Sequence, residues 1–485
     1  MQIDEARTQL LRLRDALSKN DRAEGNAIAL SLVAASPPLG RQWKAISTLL
    51  QHNGEINGAR AAMDRYVDAQ GNDPAALYDK AALLAQTASV EQAYALLQEL
   101  PPTVPDAHAN AYSRGTMAIN LGRFAEARLA LREALEASPK SGQSRLALAM
   151  IGNIEPDDEE RIFADKEAIA SQPPLEQAAW QYALARLLEA RGQVEEAASR
   201  YAAGAAIMAR LRPADLKRDR DEAQQATEGW HPPVISRLGQ EISQLGASRP
   251  IFVTGLPRSG TTLVEQILVS HSAIENGEEL GLMRLVQQDV GGLSYPAFEA
   301  FADRGGTLAE LRQLYDGLLA QRFPGERRIV DKSLNSSRSM GLIASLFPDA
   351  PIIWVRRDPV DCAWSAFRNW FNQGLEWSWS LPAMAYHFKL EDALFFHWRQ
   401  VLQGRIHVVP YEDLVSDPER VITSMLDFCG LAFEPAVLDP QLTQRTVTTA
   451  SVAQVREKIN RNAIGSAKPF HRFLLPFSQA YFAQT

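Results

Sequence analysis

The chain has 485 residues, enough for two to four domains at about 100–200 residues each. A hydrophobic fraction of 46% and a charged fraction of 22% exclude wholesale disorder, and a net charge of −8 argues against a nucleic-acid partner. The two cysteines, Cys362 and Cys429, are too few for a disulfide scaffold and lack metal-ligand spacing, so no metal site is expected.

In chain order, the N-terminal MQIDEARTQLLRLR has acids where a signal peptide needs a basic start and an apolar run. With no run of about 18 apolar residues anywhere, no membrane span is expected and the cytoplasm is the simplest compartment. Small residues then recur 34 apart at Gly25, Ala59, Ala93 and Ala127, and again at Ser47, Ala81, Gly115 and Ala149. Pro37, Pro105, Pro139 and Pro173 keep the same frame. The period resembles that of a tetratricopeptide repeat, two antiparallel helices per unit. Small residues let the helices approach, and proline ends the second helix. About six units are expected over 5–210, with Arg161 out of pattern and the last unit shifted onto Ala185 and Ala197. Residues 1–210 thus read as an all-α solenoid, either structural or holding an acceptor peptide or protein. The charged DLKRDRDEAQQ and the later VISRLGQEI make 211–249 a helical connector.

From residue 250 the pattern changes to alternating strand and helix. IFVTG (251–255) is a short branched strand, followed by LPRSGTT and the helical TTLVEQILVSH. Gly255 and Gly260 stand five apart as in a phosphate-binding loop, but Thr261 follows where that loop has Lys, and Arg258 sits inside. A strand–loop–helix of this kind aims backbone N–H groups at an anion. The later strand IIWV ends in Arg356 and Arg357, where a nucleotide-hydrolysing enzyme normally places an Asp for magnesium. Two arginines there imply a second anion site, and with it a ligand carrying anionic groups at two ends.

PRSGTT and RRDPVDCAWS resemble the 5′- and 3′-phosphate motifs of sulfotransferases that use 3′-phosphoadenosine 5′-phosphosulfate. The whole chain resembles bacterial proteins that fuse tetratricopeptide repeats to such a domain, and its second half resembles tyrosylprotein sulfotransferases. The resemblance implies an α/β domain over 250–485 with a P-loop-like, mostly parallel sheet flanked by helices. It implies that Arg258, Ser259, Gly260, Thr261 and Thr262 cradle the 5′-phosphosulfate, that Arg357 and Ser365 hold the 3′-phosphate, and that Tyr411 lies near the nucleotide. Glu278 in Gly277-Glu278-Glu279 would be the base, with Glu279 orienting its neighbours or binding the acceptor. Lys332 in RIVDKSLN would donate to the donor's bridging oxygen, and Ser451 would support the transition state. Asn369 falls where the tyrosylprotein enzymes have an arginine, and Ser466 falls where a basic residue is usual, with Lys468 nearby as a substitute.

The expected activity is transfer of a sulfuryl group to an acceptor hydroxyl, a peptide tyrosine first among the candidates, leaving 3′,5′-adenosine bisphosphate. The alternatives are a P-loop kinase and a repeat scaffold with an inactive nucleotide domain. His271 is a rival base. The aromatics of NWFNQGLEWSWSL are candidates for a wall beside the acceptor. A separable repeat array also implies that removing 1–210 leaves cofactor binding intact.

Overall fold

The computed structural model describes residues 3–163, 169–277, 279–333, 335–371, 374–443 and 456–483. Its first 210 residues form a helical region in which consecutive helices pack as pairs. The second helices of the first four pairs, Arg22–Ala35, Ile56–Ala69, Val90–Glu99 and Phe124–Ala137, begin at intervals of 34 residues. The next two, Pro156–Phe163 and Val194–Leu211, follow after 156 − 124 = 32 and 194 − 156 = 38 residues. Ala59, Ala93 and Ala127 are fully buried where helix backbones meet. A Cβ on Gly115 would lie 2.6 Å from Leu131, and one on Gly204 would lie 2.6 Å from the Tyr182 ring. Those approaches are why the periodic positions are small.

The connector contains the helices Leu216–Thr227 and Pro232–Ile242. The first is pinned to the second half through Arg338, which ion-pairs with Asp219 at 2.6 Å and with Glu391 at 3.1 Å.

Five strands follow: β1 (Pro250–Gly255), β2 (Ile274–Asn276), β3 (Arg328–Asp331), β4 (Ile352–Arg356) and β5 (Ile406–Pro410). They form one sheet in the order β2-β3-β1-β4-β5, with every pairing parallel. Ile251, Val253, Val330, Ile353 and Val355 join the core on one face, while Phe252, Ile329, Ile352 and Trp354 join the core on the other. A sheet covered on both faces needs such unbroken apolar strands. Because β1 lies between β3 and β4, the chain reverses its winding direction there. A crevice therefore opens at the carboxyl ends of these three strands.

Among the described residues, Gly122 of the helical region lies against the Arg456 side chain, and two broader contacts also join the region to the second half. At one, Arg22 pairs with Asp289, and Arg322 donates to the carbonyl of Gly54 at 3.0 Å. At the other, the hydroxyl of Tyr182 donates to the carbonyl of Phe367 at 2.9 Å, and Arg368 pairs with Glu189 at 2.6 Å. The second contact is a shared core. Tyr182, Tyr201 and Met208 are packed in one cluster with Trp364, Trp377, Trp379, Phe470 and Phe477. The aromatics from NWFNQGLEWSWSL therefore join the two halves. Trp370 and Trp379 meet the Tyr182 ring edge-on at 5.3 and 5.7 Å, and Trp377 stacks on His387 at 4.3 Å.

Cys362 lies fully buried in this shared core and Cys429 is buried beneath the sheet. Burial pushes both thiols up to about 12. At pH 8.5 their thiolate fraction falls about a thousandfold below that of an ordinary cysteine, so native alkylation by iodoacetamide is expected to slow accordingly. Mass spectrometry should find both positions unmodified in the folded protein and fully labelled in denaturant. Rapid native labelling of Cys362 would mean that the shared core opens.

Candidate active site

The loop after β1 turns sharply because three residues adopt positive φ: Gly255 at 149°, Arg258 at 72° and Gly260 at 107°. A Cβ at Gly255 would stand 2.5 Å from the carbonyl oxygen of Val355, and one at Gly260 would stand 2.5 Å from the Tyr411 ring. Glycine at both positions thus reflects conformation and lack of room together. Thr261 opens the helix Thr261–Val269 directly after the loop, where the first-turn N–H groups have no intrahelical acceptor. Ser259 is 1% exposed, and its hydroxyl has no hydrogen-bond partner among the described residues.

Arg258, in the same loop, directs Nε to the hydroxyl of Ser365 at 2.9 Å. Ser365 lies on the helix Pro359–Phe367, which leaves the end of β4. Arg357, at the start of that turn, donates to the carbonyl of Arg258 at 3.0 Å, and its guanidinium stacks over the Tyr411 ring at 4.7 Å. Its Nε is buried and has no partner among the described residues. Asp361 stands 3.7 Å from Arg357 and is already shared, accepting from the backbone N–H of Gly465 at 2.7 Å and of Ala467 at 2.9 Å. Burial, with the neighbouring cations Arg368, Arg357 and Arg186, pulls the Arg258 guanidinium down to about 9. The site is thus built with positive charge in excess, an arrangement that an anion relieves.

Lys332 follows β3, the strand paired in parallel with β1, and so stands at the same edge of the sheet. It is 4% exposed, and its ammonium pairs with Glu279 at 2.9 Å. The Gly277-Glu278-Glu279 segment passes so close to β3 that a Cβ on Gly277 would lie 2.1 Å from the carbonyl oxygen of Val330. Beside Lys332, Asp331 accepts from the Tyr315 hydroxyl at 2.7 Å through one oxygen and from the Ser333 N–H at 3.0 Å through the other. Burial raises the Asp331 carboxyl above the usual range. Both its oxygens are committed within the fold, so it does not stand ready as the magnesium-holding Asp of a nucleotide hydrolase.

The structure brings Arg258, Arg357, Ser365 and Tyr411 into contact around the loop that carries Ser259, Gly260, Thr261 and Thr262, with Lys332 at the end of the neighbouring strand β3. Glu278 and Ser451 lie outside the described residues. Arg356 departs from the expected arginine pair: it ion-pairs with Asp392 and stacks over Phe395 at 4.6 Å, so one arginine of the two faces the crevice. Successive residues at a strand end point to opposite faces, which explains the split. Ser466 sits 3.4 Å from Asp361, and the Lys468 chain folds over Gly465. His271 is held by the Ala432 carbonyl at 2.9 Å and the Ala273 N–H at 3.1 Å, beyond the far end of the loop's helix. It is a structural histidine.

Two residues near the crevice carried no signal in the sequence. Asp361 looks like an ordinary helix-start acid, yet it ties Arg357 to the C-terminal segment. Arg186 lies in the out-of-register last helix pair, and its guanidinium meets the Asn369 side chain at 3.2 Å across 183 residues of sequence.

Residues 250–435 match the sulfotransferase family, and this part of the chain carries a domain of that family. An uncharacterised protein of Aquifex aeolicus (strain VF5) is 32% identical over 275 residues, which is 54% of this chain and 36% of that protein. Protein-tyrosine sulfotransferase 2 of Gallus gallus is 24% identical over 195 residues, which is 39% of this chain and 53% of that protein. The chain thus spans about a third to a half of the length of these relatives. The sulfotransferase domain of the Synechococcus PCC 7002 olefin synthase is 22% identical with a TM-score of 0.34, covering 48% of this chain and 95% of that domain. Among the described residues, no helix is long and apolar enough to cross a membrane.

Proposed function

We propose that the chain transfers a sulfuryl group from 3′-phosphoadenosine 5′-phosphosulfate to an acceptor hydroxyl. The observation that carries this reading is the meeting of a lysine-free phosphate loop, the Arg357–Ser365 pair and the buried Lys332 at one edge of the sheet. The residues fit such a nucleotide: among the described residues, Ser259 Oγ and Arg357 Nε are buried donors without a partner, and the loop brings its backbone close against the Tyr411 ring at Gly260. The loop residues Arg258 to Thr262 would hold the 5′ end, and Arg357 with Ser365 the 3′-phosphate.

The donor supplies an activated sulfuryl group, and the chain supplies placement and charge. Lys332 neutralises charge growing on the leaving phosphate oxygen, while Glu279 keeps its ammonium in position. Glu278 takes the acceptor proton as the new S–O bond forms and the bridging one breaks. Ser451 supports the same transition state. The helical region is a tetratricopeptide-type array that presents the acceptor, a peptide tyrosine, to this crevice in the cytoplasm. The tyrosine reading draws on the Gly277-Glu278-Glu279 segment and on the likeness to a protein-tyrosine sulfotransferase.

Calorimetry with 3′,5′-adenosine bisphosphate in the presence of a chelator is expected to show binding. Arg258→Ala and Arg357→Ala should each weaken it by about tenfold to a hundredfold, the range of one hydrogen bond to a charged group. Radiolabelled donor should then mark a tyrosine peptide and leave its phenylalanine counterpart unlabelled. A preference for ATP with magnesium would point to phosphoryl transfer and overturn the reading.

A further inference from the structure

We infer that Arg186, carried by the helical region, is a phosphate-binding residue of the nucleotide site and supplies a cation to the 3′-phosphate. The inference rests on the donor reading above and adds to it a residue from the other half of the molecule.

Arg186 lies on the helix Pro174–Ala190, and that helix is held in register by its neighbours on the same face. Four residues earlier, Tyr182 donates to the carbonyl of Phe367, and three residues later, Glu189 accepts from Arg368. Positions i, i+4 and i+7 share one side of a helix, so these two contacts aim Arg186 at the end of the helix Pro359–Phe367. There its terminal nitrogen donates to Oδ1 of Asn369 at 3.2 Å, and Nδ2 of Asn369 donates to the carbonyl of Ser365. The hydroxyl of Ser365 is the one that Arg258 reaches. A short relay through the Asn369 side chain and the backbone and side chain of Ser365 therefore joins the helical region to the phosphate loop.

The guanidinium is more than this relay requires. Among the described residues, the buried Arg186 Nε has no acceptor and no carboxylate pairs with Arg186. The nearby carboxylates are engaged: Glu189 by Arg368 and the Tyr201 hydroxyl, Asp361 by Arg357 and two backbone N–H groups. Arg186 is also one of the cations that depress the Arg258 guanidinium, which places it within electrostatic reach of the loop. A cation with a spare buried donor, held near other cations and one side chain away from Ser365, is suited to a dianionic phosphate monoester.

The test is calorimetry on the full chain with two ligands, 3′,5′-adenosine bisphosphate and adenosine 5′-monophosphate, which differ by one phosphate. Arg186→Ala is expected to weaken the bisphosphate at least tenfold and the monophosphate less than twofold. Arg186→Gln keeps a donor to Asn369 without the charge and should show the same selective loss, which covers a poorly folded alanine variant. Tyr182→Phe removes a docking hydrogen bond alone and should leave the ratio of the two affinities unchanged. Equal weakening of both ligands, or a ratio that falls as far in Tyr182→Phe as in Arg186→Ala, would reduce Arg186 to a docking residue. Undiminished bisphosphate binding in both Arg186 variants would overturn the inference and leave the donor reading intact. Failure of the unsubstituted chain to prefer the bisphosphate would overturn both.

Discussion

Lys332→Ala is expected to lower sulfuryl transfer by about a hundredfold to a thousandfold, the usual effect of removing one group that stabilises transition-state charge. Affinity for 3′,5′-adenosine bisphosphate should stay within about threefold, because the interaction with the leaving oxygen is strongest as charge develops there. Lys332 is buried and held by Glu279, so its ammonium is placed before any ligand arrives. Glu279 is 39% exposed at its side chain and stays hydrated when its partner is lost, so the melting temperature should hardly move. Single-turnover kinetics and bisphosphate titration on the same preparation separate these effects. Transfer within threefold of the unsubstituted chain would remove Lys332 from the reaction. Equal losses in transfer and in binding would assign it to nucleotide holding instead.

The second large effect concerns stability. Trp364→Ala is expected to destabilise the folded chain by about 3–5 kcal/mol, the range for truncating a buried aromatic. Trp364 is fully buried, stacks on Phe470 at 3.7 Å between centroids and meets Tyr201 edge-on at 5.5 Å. It therefore touches the helical region and the C-terminal segment together. Its Nε1 has no hydrogen-bond partner among the described residues, so Trp364→Phe should cost far less than alanine, about 1–2 kcal/mol. Calorimetric melts should show one shared transition moving down in the alanine variant. A second transition appearing while the first holds still would mean that the halves are stabilised separately. The same core bears on the expectation that residues 1–210 can be removed with cofactor binding intact, because such a truncation would strip one side of it. Tyr182, Tyr201 and Met208 would leave with them, exposing the Trp364, Trp377 and Trp379 surface.

What the sequence disclosed was local. The apolar strand, the two spaced glycines and the following helical pattern lie within 20 residues of one another, and their geometry follows from backbone rules. Lys332 and Arg357 were legible because each follows an apolar strand, and strand ends in a parallel sheet gather at one edge. The 34-residue spacing was legible because close helix contacts admit only small side chains. The split of Arg356 from Arg357 was not, since a strand's two faces become distinct only when the neighbouring helices are in place. Arg186 and the Tyr182–Phe367 bond depend on how two distant segments dock, and no short pattern encodes that. Trp370, Trp377 and Trp379 read as a candidate acceptor wall because composition records that aromatics will be covered, and leaves open by what.

The shared core also decides where this molecule can be recombined. The connector 211–249 looks like the natural seam for grafting a different helical region onto the second half, but a cut there severs an aromatic cluster. Up to Ala137 the helices pack in clusters confined to the helical region, whereas from Leu146 onward side chains enter the cluster shared with Trp364. The workable crossover point is therefore the turn at Ser138–Ser141, more than 70 residues ahead of the apparent seam. A donor helical array joined there inherits the helix Pro174–Ala190 from the recipient and has to rebuild the contacts around Arg22 and Gly54, the approach of Gly122 to Arg456, and the packing of Leu131 and Leu135 against Ala147 and Leu148 with the Arg128 and Arg132 pairs to Asp158.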